Sequence, residues 1–178
     1  AIRENMGYVA RGGREMGHHF EVLWSLFSSL PSTEDPNMTV LDHFYYTNYD
    51  DPNFSNCRIT KNQGERYDNG KFNLGQDLAK ELAAFTSMTD EELQNKSIED
   101  IFSEELLNSD FWTLWRTMFA FENWHSALEM KLYMNRFIHH VGGLTNLSAL
   151  QFSRHDQYTS FVKPMVKYLE DHGAKFEY

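Results

Sequence analysis

The chain has 178 residues and a formal net charge of −10, from 16 Lys plus Arg against 26 Asp plus Glu. That length suits one domain able to bury a real core, and so acidic a surface repels phosphate backbones, which argues against a nucleic-acid partner. Aromatic residues make up 15% of the chain, too many for a disordered acidic segment and enough for an aromatic core, an aromatic pocket or a surface awaiting a partner.

In chain order, Gly7-Tyr8-Val9-Ala10 reads as a short strand running into Arg11-Gly12-Gly13, where paired glycines permit a tight turn. Phe20, Val22, Leu23, Leu26, Phe27 and Leu30 then recur at helical spacing until Pro31 stops the helix. Thr39 is placed to cap a short helix through about Tyr46, with Val40, Leu41, Phe44 and Tyr45 as its apolar side. Residues 57–61 and 65–67 form an expected hairpin about Asn62-Gln63-Gly64, and Asp68-Asn69-Gly70 marks a second turn.

The remainder reads as helical. Asn73 is the expected cap of a helix with Leu74, Leu78, Leu82 and Phe85 on one side. Thr89-Asp90-Glu91-Glu92 and Ser97-Ile98-Glu99-Asp100 are helix-start patterns. Ala127, Met130, Met134, Phe137 and Val141 hold one face for four turns up to Gly142-Gly143. A final helix is expected from about Gln157 to His172, capped by Gly173, and the alternating residues 174–178 look like a strand cut short. No linker or repeat divides the chain, so the expectation is one α+β unit, mostly helical, with a small sheet.

The ends and apolar runs carry further expectations. The chain opens at Ala1 without an initiator Met, and no basic-then-apolar stretch follows, so no signal peptide is expected. The most apolar region, residues 111–121, contains Arg116 and is too short to span a bilayer. The lone Cys57 fits a reducing, cytoplasmic compartment and reads as a buried inert thiol.

Several constellations bear on chemistry. Arg11-Gly12-Gly13-Arg14-Glu15-Met16 offers free backbone amides and mobile charge, which suits an anion or a flat cofactor; a plain strand-to-helix turn is the alternative. It is not a dinucleotide fingerprint, since no Gly-x-Gly-x-x-Gly occurs. Phe111, Trp112, Trp115, Phe119, Phe121 and Trp124 suit either an apolar ligand pocket or a core helix pair. Tyr133 lies about 70° around its helix from the centre of the Met130, Met134 and Phe137 face, where a hydroxyl reaches a pocket or simply meets water. Eight histidines show no metal-binding spacing, and no metal site is expected.

Taken together, Arg11-Gly12-Gly13-Arg14-Glu15-Met16 with His19-Phe20-Glu21, Val40-Leu41-Asp42-His43-Phe44-Tyr45, Glu122-Asn123-Trp124-His125-Ser126-Ala127, Arg136-Phe137-Ile138-His139-His140 and Asp156-Gln157-Tyr158 resemble the oleate hydratase, or myosin-cross-reactive antigen, family. The resemblance covers nearly the whole chain and matches an internal segment of a longer FAD-binding Rossmann-type flavoprotein, whose nucleotide fingerprint lies before this region. It implies addition of water across a cis double bond of an unsaturated fatty acid such as oleate or linoleate. It implies catalytic roles for Glu15 and Tyr133, flavin contacts from Gly12, Gly13, Arg14 and Met16, and a contact of Gln157 with the fatty-acid carboxylate. FAD, peripheral membrane contact and a homodimer of the full-length parent complete that expectation. Gly17, His18, Leu132 and Met134 depart from the family's usual residues, which bears on regioselectivity. The alternative is a non-catalytic lipid-binding or helical protein-interaction module.

Overall fold

The computed structural model describes residues 15–67 and 74–177, together with the backbone of residues 2–3 and 7–8. The turns at residues 11–14 and 68–70 and the expected cap Asn73 lie outside them. Where the absence of a linker suggests one unit, the chain packs as two: residues 1–53 with 150–178, and residues 54–149. The first unit is discontinuous in sequence, so no linker composition marks the division.

In the first unit, β1 (Ile2–Arg3) pairs antiparallel with β2 (Gly7–Tyr8). Helix α1 runs Glu21–Phe27 and α2 runs Val40–Asp50. A π-helical turn, Tyr158–Val162, leads into α8 (Lys163–Asp171), with Pro164 in its first turn, where the missing amide is no loss. The core gathers Trp24, Phe27, Leu30, Val40, Phe44 and Phe161. The Trp24 ring lies 4.5 Å from Phe44 and the Phe27 ring stacks on Phe161 at 5.0 Å. The periodicity of α1 misleads in one respect: Val22 is 86% exposed and Leu26 is also outside, while Trp24 is buried, its indole N–H donated to the Gly17 carbonyl at 2.8 Å. One large ring with a satisfied polar edge decides which face turns inward.

Helix α2 begins as expected at Thr39 but runs a turn beyond Tyr46. Asp42 accepts both the Thr39 amide and the Thr39 hydroxyl, at 3.0 and 2.7 Å, and its amide donates back to Thr39 Oγ1. These hydrogen bonds hold the Asp42 carboxyl below the usual carboxylate range.

Long-range polar ties close this unit. Met16 and Gln151 exchange two backbone hydrogen bonds, at 2.8 and 3.1 Å. The Asn48 amide both donates to the Phe152 carbonyl at 2.9 Å and accepts the Phe152 N–H at 3.1 Å. Glu34 sits between two imidazoles, 3.0 Å from His155 Nε2 and 3.5 Å from His43 Nε2.

In the second unit, β3 (Ile59–Lys61) and β4 (Glu65–Tyr67) form the expected hairpin, its first strand starting at Ile59 rather than Cys57. Asn62, Gln63 and Gly64 all take positive φ, which fixes the register of Lys61 opposite Glu65. Helices α3 (Gln76–Ser87), α4 (Asp90–Leu93), α5 (Glu104–Leu107), α6 (Asp110–Phe119) and α7 (Ala127–Phe137) follow. The α3 cap is Gly75 rather than Asn73, without a side-chain hydrogen bond. Thr89 with Glu92 and Ser97 with Asp100 form capping boxes, the second opening only a 3₁₀ turn, Ile98–Asp100. Helix α7 also stops early: from Ile138 to Gly143 it tightens to 3₁₀. The core contains Leu82, Phe85, Leu93, Ile98, Leu106, Phe111, Trp112, Trp115 and Met130. Residues 174–177 form no strand, so the strand-like reading of that tail is corrected: its alternation has no partner strand among the described residues.

The fold is thus mostly helical with two small antiparallel pairs, as α+β composition predicts. No helix among the described residues is long and apolar enough to cross a membrane.

Two stability outcomes follow. A Cβ at Gly143 would meet the Ala149 amide nitrogen at 2.7 Å, so Gly143→Ala is expected to cost about 1–3 kcal/mol in chemical denaturation. Thr39→Ala should cost about 1 kcal/mol at neutral pH. Because Asp42 titrates lower when folded, its share of the cap is complete above the usual carboxylate range and disappears on acidification. The deficit of Thr39→Ala should therefore shrink in melts below about pH 4.

Candidate functional site

The aromatic run divides between core and cleft. Phe111, Trp112 and Trp115 are fully buried on the inner face of α6, and the Trp112 indole N–H is donated to Asn123 Oδ1 at 2.8 Å. From Phe119 onward the rings line a cleft as well, Phe121 staying buried and Trp124 exposed. Ala120 closes α6 in the left-handed conformation, φ 57° and ψ 41°, a geometry usually given to glycine. Phe119, Ala120, Phe121, Trp124, His125, Ser126, Glu129 and Tyr133 then enclose an open cleft of about 410 Å³, within the range of small-molecule sites. Core and open cleft thus draw on different parts of one run.

Tyr133 lies on the wall of this cleft and is 37% exposed. Its ring is caged by three phenylalanines, with centroids at 5.2 Å to Phe121, 5.6 Å to Phe137 and 6.0 Å to Phe119. Apolar rings on three sides leave few orientations for the phenol. The loop that carries the opposite wall is pinned by backbone hydrogen bonds: Ile98 N–H to His125 O, Glu99 N–H to Asn123 O and Ala127 N–H to Lys96 O, each 2.9–3.0 Å. Glu122, just before that wall, is ion-paired to Arg116.

The other expected site residues lie in the first unit. Glu15 is exposed and Met16 half-buried. Gly12, Gly13 and Arg14 lie outside the described residues. Gln157 immediately precedes the π-helical turn, and its side-chain Nε2 is buried with no hydrogen-bond partner among the described residues. A buried donor left unpaired costs about 1–3 kcal/mol, so a ligand oxygen there would relieve a strain already present. Gln151 Oε1 is buried without a partner in the same unit.

Of the expected flavin contacts only Met16 is described. Its backbone amide and carbonyl are both consumed by Gln151, and its side chain packs against the Trp24 and Phe27 core. What it can offer a flavin is therefore an apolar edge, not a hydrogen bond, and that is compatible with a ring packed against it.

Cys57 donates its S–H to the Leu144 carbonyl at 3.1 Å, and burial pushes its thiol above the ordinary value, so it is no nucleophile at neutral pH. Among the described residues no three His, Cys, Asp or Glu side chains are placed to hold a metal ion. His125, Ser126 and Glu129 were not singled out from sequence. The signal for Ser126 and Glu129 was their spacing from Tyr133, seven and four residues before it, which is one helix stripe; nothing of that kind marked His125.

With this geometry in hand, the class is clear. The model of the MCRA family matches residues 1–178, and the chain belongs to that family. It is 46% identical over 177 residues, 99% of its own length, to an oleate hydratase of Streptococcus pyogenes serotype M49 (strain NZ131). It is 28% identical over 176 residues, 96% of its length, to a linoleate hydratase of Lactiplantibacillus plantarum. The chain spans 30% and 31% of the lengths of these two relatives.

The cleft makes two outcomes measurable. Of the four tryptophans, Trp124 is 70% exposed and Trp24, Trp112 and Trp115 are buried; acrylamide should quench Trp124 alone, and a ligand filling the cleft should protect it. Ala120→Gly should relieve the left-handed cap and raise stability by about 0.5–1 kcal/mol in a thermal melt.

Proposed function

We infer that this chain is the substrate-side segment of a fatty acid hydratase, which adds water across a cis double bond of an unsaturated fatty acid such as oleate or linoleate. The observation that carries this reading is Tyr133 caged by aromatic rings on the wall of a ligand-sized cleft, in a chain of the MCRA family whose two relatives are named hydratases.

An isolated alkene is a weak base. Its protonation needs a positioned acid and a site that tolerates developing positive charge. Tyr133 is the proton donor, its phenol O–H supplying the proton that the alkene takes. Glu15 is the base that takes a proton from the attacking water and, as a carboxylate, favours the cationic transition state. The reverse assignment, with Glu15 as the acid, is the alternative. Gln157, with its unpaired buried amide nitrogen, is the contact for the fatty-acid carboxylate.

FAD belongs to this reading. Gly12, Gly13, Arg14 and Met16 would hold it, and since hydration transfers no net electrons, its contribution would be structural and electrostatic. A Rossmann-type FAD-binding parent, a homodimer, peripheral contact with a membrane and a cytoplasmic location complete the proposal. The acidity of the segment is against a strong electrostatic membrane anchor within it.

The test is turnover in a full-length chain carrying this segment and supplied with FAD. Glu15→Gln and Tyr133→Phe should each lower hydration of oleate by about 10²-fold or more. Near-normal hydration by either variant sinks the assignment. Fatty-acid binding by the 178 residues without turnover in any full-length form would favour the non-catalytic lipid-binding module.

A further inference from the structure

His125 stands in the same cleft as Tyr133 and is held there from several sides. Its carbonyl accepts the amide of the fully buried Ile98 at 2.9 Å. Its ring meets Trp124 edge-on at 4.1 Å and Phe121 at 6.1 Å. The Glu122 amide donates to its Nδ1 at 3.2 Å. A ring nitrogen that accepts an N–H carries no proton, so neutral His125 bears its proton on Nε2. Among the described residues nothing accepts that Nε2–H. It is a free donor on a rigid mount.

Tyr133 lines the same cleft. Helical side chains lean toward the helix N-terminus, so the Tyr133 side chain leans toward the turn that carries Glu129, on the side of α7 that His125 precedes. Both rings meet the same Phe121 ring, Tyr133 at 5.2 Å and 87°, His125 at 6.1 Å and 68°. The nearby Glu129 carboxylate also lines the cleft, and its negative charge opposes any anion forming on Tyr133.

We propose that His125 is a positioning residue that acts through Tyr133: its Nε2–H donates to the phenol oxygen, directly or through one water in the cleft, and stabilises the phenolate left when Tyr133 protonates the double bond. The proposal rests on the reading of Tyr133 as proton donor. In that step the Tyr133 O–H bond breaks, a C–H bond forms from the alkene π pair, and the O–H electron pair stays on the phenol oxygen. Water forms the C–O bond and loses its surplus proton to the Glu15 carboxylate, and exchange with solvent restores both groups. A phenol is a weak acid for this task. A hydrogen bond that is stronger to the anion than to the neutral phenol lowers the barrier, and between aromatic walls it is screened less than in water.

Two substitutions separate this role from a structural one. His125→Asn retains an acceptor near the Nδ1 position for the Glu122 amide but has no N–H where Nε2 lies. His125→Gln can place an amide N–H there. In the full-length chain supplied with FAD, His125→Asn should lower kcat for oleate about tenfold with KM unchanged, and His125→Gln should restore most of that loss. In a Tyr133→Phe background, His125→Asn should have no further effect. Losses that multiply in the double variant, a change in KM alone, or a Gln variant as slow as Asn would overturn the proposal. Normal kcat in His125→Asn beside an inactive Tyr133→Phe overturns it alone, whereas normal turnover in Tyr133→Phe removes the proton-donor reading and this proposal with it.

Discussion

Everything in the second unit follows from how α6 ends. For its first two turns the helix buries Phe111, Trp112 and Trp115 completely. It is then stopped by a left-handed alanine, and the rings that follow line a cleft, Phe121 still buried in the core and Trp124 exposed. Three phenylalanines from this region and from α7 close around Tyr133. The core therefore supplies the rigid back wall of the site, and the same aromatic composition serves both.

The first unit is built on another principle. Its aromatic core is small, and its two chain segments are joined by polar ties between residues about a hundred positions apart. Asn48 with Phe152 and Glu34 with His155 are the clearest. Each contributes little alone, but together with the paired backbones of Met16 and Gln151 they fix the entry to the segment that carries Gln157. The unpaired Gln157 nitrogen and Gln151 oxygen are local exceptions among the described residues of this unit, and exceptions of that kind call for an explanation.

Membership of the MCRA family and the proposed hydration chemistry explain why such an arrangement is needed. A weak acid must protonate a weak base, which demands positioning and local control of charge rather than a strong reagent. An aromatic cage that restricts the phenol on α7, and a histidine tautomer fixed by a backbone amide in the loop before it, are two ways to supply that control.

Local chemistry was legible from the residues alone. Thr39 with Asp42, Thr89 with Glu92, and the Asn62-Gln63-Gly64 turn all act within a few residues of themselves, so their outcome does not depend on the rest of the chain. The family motifs likewise pointed to Glu15, Tyr133 and Gln157. Tertiary structure decided the remainder. It turned Trp24 inward in place of Val22 and Leu26, tightened the end of α7 to 3₁₀, divided the chain into two units, and assembled His125, Glu129 and Tyr133 into one cleft. The reason is physical: periodicity states which residues can share a face, but which face is buried depends on partners distant in sequence, and a cleft is defined by what fails to fill it.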